Sequence, residues 1–161
     1  MKKILILILA IAPFFTFSQG AQQLGINWIS LEKAKKYAKK YDKNILVYFY
    51  KKDCPYCDKM SKETLKDLNI INLINKNFFP VKIDSRTKDT IIYDGKNYSN
   101  QQPISHGSTW RHDFYAEVAE YRERITTPTI VLFNNKFEKS TVFPGNQPKE
   151  LLLRRIKPYI K

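Results

Sequence analysis

Asn44-Ile45-Leu46-Val47-Tyr48-Phe49-Tyr50-Lys51-Lys52-Asp53-Cys54-Pro55-Tyr56-Cys57-Asp58-Lys59-Met60-Ser61-Lys62-Glu63-Thr64-Leu65 is the segment around which the chain is organised. Its β-branched and aromatic run, Ile45 to Tyr50, is bounded by polar residues and reads as a buried strand. After Cys54 come helix formers, with no Pro beyond Pro55 and no Gly. Both cysteines therefore sit where a strand hands over to a helix.

The first turn of a helix leaves N–H groups unpaired and carries the positive end of the dipole, and both favour a thiolate over a thiol. This points to Cys54 as the nucleophile. Pro55 is tolerated in that turn, where its missing N–H is one of the orphans. Cys57, three positions on and on the same helical face, can reach back to Cys54 to form or break a disulfide. These two are the only cysteines of the chain. In an exported chain, that count at that spacing argues against a disulfide-stapled scaffold and for a working dithiol.

Export is the reading of the other end. Lys2 and Lys3 precede the apolar run Ile4 to Ala12, followed by Pro13-Phe14-Phe15. Residues 1–18 are expected to be a signal peptide, cleaved before Gln19, with a second option before Ala21. The run is shorter than the roughly 18 to 20 apolar residues of a membrane span and contains Pro13. Residues 19–161 then form one domain with a single core, and the expected location is periplasmic or secreted.

The chain has 28 Lys and Arg against 15 Asp and Glu, a formal charge of +13. Without Lys2 and Lys3 this becomes 26 against 15, or +11. Such a balance attracts acidic partners or anionic surfaces. The lysines are scattered, however, and no nucleic-acid motif accompanies them, so no nucleic acid is expected as a partner.

Ser30 is a candidate cap for a helix whose apolar positions Leu31, Ala34, Tyr37, Ala38 and Tyr41 recur with helical period. A short helical piece is expected over Asn69 to Asn75, then a strand over Phe78 to Asp84. Pro80 suggests that this strand is an edge or starts irregularly. Thr90 to Tyr98 reads as a hairpin about Asp94-Gly95, and Ser99 to Trp110 as polar and irregular. Asp113 is expected to cap a helix with Phe114, Val118 and Tyr121 on one face. Ile130 to Phe133 and Lys136 to Phe143 are expected to form a hairpin about Asn134-Asn135, before a last helix from about Pro148 to Tyr159.

The buried strand feeding Cys-Pro-Tyr-Cys, together with Thr126-Thr127-Pro128-Thr129 and the Ile130-Val131-Leu132-Phe133 strand, resembles the thioredoxin superfamily. The Trp28-Ile29-Ser30-Leu31-Glu32-Lys33-Ala34 opening is similar to the exported subgroup that includes the C-terminal domain of the transmembrane disulfide reductase. The resemblance implies an α/β fold, a central mixed sheet flanked by helices, with residues 85–111 inserted before the cis-proline helix and strand. It also implies a cis Thr127–Pro128 bond opposite Cys54, with Thr127 and Pro128 contacting substrate, and Pro55 and Tyr56 completing the active-site motif. The implied activity is thiol–disulfide exchange on protein disulfides, leaning to reduction, without a cofactor and with a membrane thiol reductase as electron donor.

Two positions depart from the family pattern. Tyr48 stands where many thioredoxins carry a buried aspartate that helps deprotonate the resolving thiol, and Asp53 stands where tryptophan is common. Alternatives on the same residues are a disulfide oxidase or isomerase and, more remotely, a non-enzymatic metal module of Cys54, Cys57, His106 and His112. The 48 residues between Cys57 and His106 are far from finger spacing, so no metal ligand is assigned.

Overall fold

The computed structural model describes residues 25–101 and 110–160. The expected signal peptide, both cleavage options and His106 lie outside the described residues. The elements run α1 (Leu31–Tyr41), β1 (Asn44–Tyr50), α2 (Pro55–Lys59), a π-helical turn (Met60–Thr64), α3 (Leu68–Asn77), β2 (Phe78–Asp84), β3 (Ile91–Tyr93), β4 (Lys96–Tyr98), α4 (Asp113–Ala119), β5 (Thr129–Phe133), β6 (Lys139–Pro144), α5 (Lys149–Ile156) and a 3-10 turn (Lys157–Tyr159).

Four strands form a mixed sheet in the order β2-β1-β5-β6, with β1 parallel to β2 and antiparallel to β5. The run Ile45 to Phe49 is continuous in hydrophobicity because helices cover both faces of β1. Alternation sends Ile45, Val47 and Phe49 to one face, against Ala34 and Ala38 of α1 and Phe114 and Val118 of α4. Leu46 and Tyr48 point to the other, against Met60, Ile70, Ile74, Leu152 and Ile156. All five of these β1 residues are fully buried, and each large apolar side chain so buried contributes about 1.5–3 kcal/mol. β2 is an edge strand, which is where Pro80 can sit without breaking a ladder.

The expected insertion contains a real hairpin. β3 and β4 pair antiparallel, and the turn between them places Asp94 and Gly95 at φ 49° and 70°, as a two-residue turn of this hand requires. Ile91 is buried, and Tyr93 and Tyr98 pack on the core face around Phe114. The hairpin is part of the wall of the core.

Three local expectations are corrected. α4 is capped by His112, whose Nδ1 accepts from Phe114 N–H at 3.0 Å, and Asp113 is its first residue. Tyr121 lies beyond the helix and is exposed, while Tyr115 and Ala119 join Phe114 and Val118 in the buried set. The β5–β6 turn is longer than Asn134-Asn135, since β6 starts at Lys139. Asn134 Oδ1 accepts from Lys136 and Glu138 N–H, and Phe137 adopts φ 66° with its ring 4.5 Å from that of Phe133.

Candidate active site

β1 ends at Tyr50, and a tight loop with Asp53 at φ 56° delivers Cys54 to the start of α2. Cys54 is the N-cap: its backbone is extended and its Sγ accepts from Cys57 N–H at 3.2 Å. Pro55 is in the first turn, where it forfeits no helical bond. Cys54 and Cys57 are joined as a disulfide, with Cα atoms 5.2 Å apart. Both are 3% exposed, so burial does not distinguish them; their places on α2 do. Tyr56 projects outward, 66% exposed.

From the other side comes the loop before β5. The Thr127–Pro128 bond is cis, as the resemblance implies, and the Thr127 carbonyl oxygen lies 3.7 Å from Cys54 Sγ. Two hydroxyls hold this loop. Tyr115 Oη donates to Thr126 O at 2.5 Å and lies 2.9 Å from Thr127 Oγ1, and Thr129 Oγ1 also donates to Thr126 O. The Pro128 carbonyl accepts from Gly145 N–H at 2.8 Å, which ties the loop to β6. Burial pushes the Tyr115 hydroxyl above its ordinary value of 10.0, so it stays a donor across the neutral range.

Beneath α2, where the family often has a carboxylate, Tyr48 Oη donates to the Cys57 carbonyl at 3.3 Å and sits 3.4 Å from Ser61 Oγ. Burial raises its pKa, so it remains protonated and is no base for Cys57. The π-helical turn that follows brings Met60 and Thr64 inward, and Thr64 Oγ1 anchors it by donating to Gln147 O at 2.8 Å.

The structure thus brings together Cys54, Pro55, Cys57, Thr127 and Pro128. Sequence reading missed Tyr115, although its i, i+3 and i+4 spacing to Val118 and Ala119 is the signal of an inward face. It also missed Ser61, for which the sequence carries no signal. His112 is not drawn toward the cysteines. Both its ring nitrogens are engaged, Nδ1 as the cap and Nε2 donating to Asp89 O at 2.8 Å. Among the described residues, no group of three or more His, Cys, Asp or Glu side chains could hold a metal ion. Among them too, no helix is long and apolar enough to cross a membrane.

A mixed sheet with a Cys-x-x-Cys pair at the end of its central strand, facing a cis-proline loop, defines the thioredoxin-like class of folds. By sequence, residues 31–159 match the family described as the thioredoxin-like domain, and the chain belongs to that family. Among solved structures it is similar to the DsbH oxidoreductase, at 16% identity over 92% of this chain and 93% of that one, with a TM-score of 0.58. It is also similar to a thioredoxin from Thermus thermophilus, at 20% identity over 83% and 86% of the two chains, with a TM-score of 0.57. The C-terminal domain of DsbD from Neisseria meningitidis, in its oxidised form, overlaps at 14% identity over 80% and 90%, with a TM-score of 0.49. No curated protein matches the sequence.

Proposed function

We propose that the chain is an exported thiol–disulfide oxidoreductase that reduces protein disulfides by cycling Cys54 and Cys57 between dithiol and disulfide. The observation that carries this reading is the Cys54–Cys57 disulfide with Cys54 Sγ beside the Thr127 carbonyl. In the reduced protein, the Cys57 N–H and the start of α2 stabilise a thiolate on Cys54. That thiolate attacks one sulfur of the substrate disulfide, and the other sulfur leaves as a thiolate. An extended substrate segment lies along the Thr127 backbone, with Pro128 shaping the approach, while Pro55 and Tyr56 form the rim of the motif. Cys57 then loses its proton and attacks the Cys54 sulfur, which releases the reduced substrate and closes the internal disulfide.

No cofactor takes part. Renewal of the dithiol needs two electrons from outside, and a membrane thiol reductase is the proposed donor. The Lys2-Lys3 start and the apolar run Ile4 to Ala12 support a periplasmic or secreted location.

The test is turnover of a protein disulfide by the mature chain with a dithiol as reductant. Cys54→Ala is expected to abolish turnover, and Cys57→Ala to accumulate mixed disulfides through Cys54. Full turnover by Cys54→Ala would overturn the assignment.

A further inference from the structure

The two ends of the 85–111 insertion meet beside the disulfide. A groove of about 270 Å³ is lined by Lys51, Arg86, Trp110, Arg111, Tyr115 and Thr127 among others. It therefore opens on the residue whose carbonyl oxygen is 3.7 Å from Cys54 Sγ. Lys51 comes from just after β1, Arg86 from the loop after β2, and Arg111 from just before α4. All three cations are partly exposed, so they retain water and remain available to a ligand.

None of the three takes part in a salt bridge found among the described residues. The Arg86 guanidinium donates to the Lys52 carbonyl at 3.2 Å, a neutral acceptor. The Asp84 carboxylate accepts from the Arg86 backbone N–H at 2.9 Å. The salt bridges Lys35–Glu32 and Lys149–Asp67 lie elsewhere. A concave wall with three cations, none of them in these salt bridges, focuses a positive field on whatever enters it.

We propose that this groove selects protein segments bearing acidic side chains beside the reacting cysteine, with Arg86, Arg111 and Lys51 as the specificity-determining residues. This rests on the thiol–disulfide reaction above and names its substrate class. A substrate strand lying against Thr127 carries its flanking side chains past the groove, where the planar guanidinium groups suit carboxylates.

The experiment uses two peptides, each with one cysteine in mixed disulfide with 2-nitro-5-thiobenzoate, flanked by Asp and Glu in one and by Lys in the other. Mature protein is reduced with dithiothreitol and desalted, so that it is itself the reductant. The Cys54 thiolate attacks the peptide sulfur, and nitrothiobenzoate leaves with the bonding electron pair and is read by absorbance. Cys57 then attacks Cys54, the peptide leaves as thiolate, and two electrons have passed from protein to peptide disulfide. Each rate is divided by that with free dithiothreitol, which removes the peptides' intrinsic reactivity.

The expected result is an acidic-over-basic preference of about tenfold at low ionic strength, shrinking as salt screens it. Arg111→Glu should remove or invert the preference by making the basic peptide faster, a gain that a misfolded protein cannot show. Arg86→Gln should reduce it. Lys39→Glu, on the exposed face of α1, makes the same change in net charge and should leave it in place. A ratio near one in the unaltered protein, or an equal loss in Lys39→Glu, overturns the inference while leaving the reaction standing. Reduction of neither peptide overturns the reaction and the selectivity with it.

Discussion

The Tyr48 hydroxyl donates to the Cys57 carbonyl at 3.3 Å, so the core of the sheet is hydrogen-bonded to the helix turn that carries the second cysteine. Because the phenol is buried and its pKa is raised, it acts as a brace. Tyr48→Phe is expected to cost about 0.5–1.5 kcal/mol of stability in urea unfolding. The reduction potential of the pair, expected near about −270 mV for a reductase, should not move. A shift toward about −120 mV in the unaltered protein would turn the direction of the reaction to oxidation. A change in the pH–rate profile of Tyr48→Phe would make the phenol a proton carrier after all.

Tyr115 braces the opposite wall. Removing its hydroxyl in Tyr115→Phe leaves Thr126 O with the Thr129 hydroxyl and loosens Thr127. Stability should fall by about 1 kcal/mol. KM for disulfide peptides should rise by about fivefold if a similar energy is lost from binding. Reduction of a small aryl disulfide, which does not lie along the Thr127 backbone, should be unchanged.

Stability should fall at both ends of the pH range. Burial raises Tyr48 and Tyr115 above 10.0 in the fold, so both favour the native state while protonated, and that contribution is lost as pH climbs through the raised values. At the acid end, the Lys149 side chain holds Asp67 below its usual 3.8, with the Asn69 and Ile70 N–H groups assisting. Its contribution is present above the ordinary carboxylate value and disappears as pH falls through the lowered one. Urea midpoints against pH should show both limbs. Tyr48→Phe should flatten the alkaline limb and Asp67→Asn the acid one.

Tyr93→Ala tests whether the hairpin is structural. Its ring contacts those of Tyr98, Phe114, Phe133 and Phe137. The loss should be about 2–3 kcal/mol, below that of a fully buried aromatic because Tyr93 is only partly covered. An unchanged unfolding midpoint would show the hairpin to be dispensable.

Residues with one strong local preference were readable from the sequence. Ile45 to Phe49 had to be buried, and Asp94-Gly95 had to turn. The Cys54–Pro55 step had to start a helix. What escaped depended on partners distant in sequence. Phe137 holds a positive φ and ends the Asn134 turn late because its ring stacks on Phe133. His112 displaces Asp113 as cap, its ring also reaching Asp89, 23 residues back. Arg86 and Arg111 share a groove only because the chain between them returns to its starting point.

That return has a consequence of its own. Ser85 N–H donates to Tyr50 O at 2.7 Å, and His112 N–H donates to Ser85 O at 2.8 Å. Departure and re-entry are thus sewn to the end of one strand, as a pocket is sewn to a seam. The hairpin stays packed on Phe114, so chain added beyond β4 need move neither α4 nor Thr127, and loop closure grows only slowly harder with length. The site is therefore a natural port: chain added between β4 and Trp110 can retune which proteins dock, while the β3–β4 hairpin and the geometry around the disulfide are inherited unchanged.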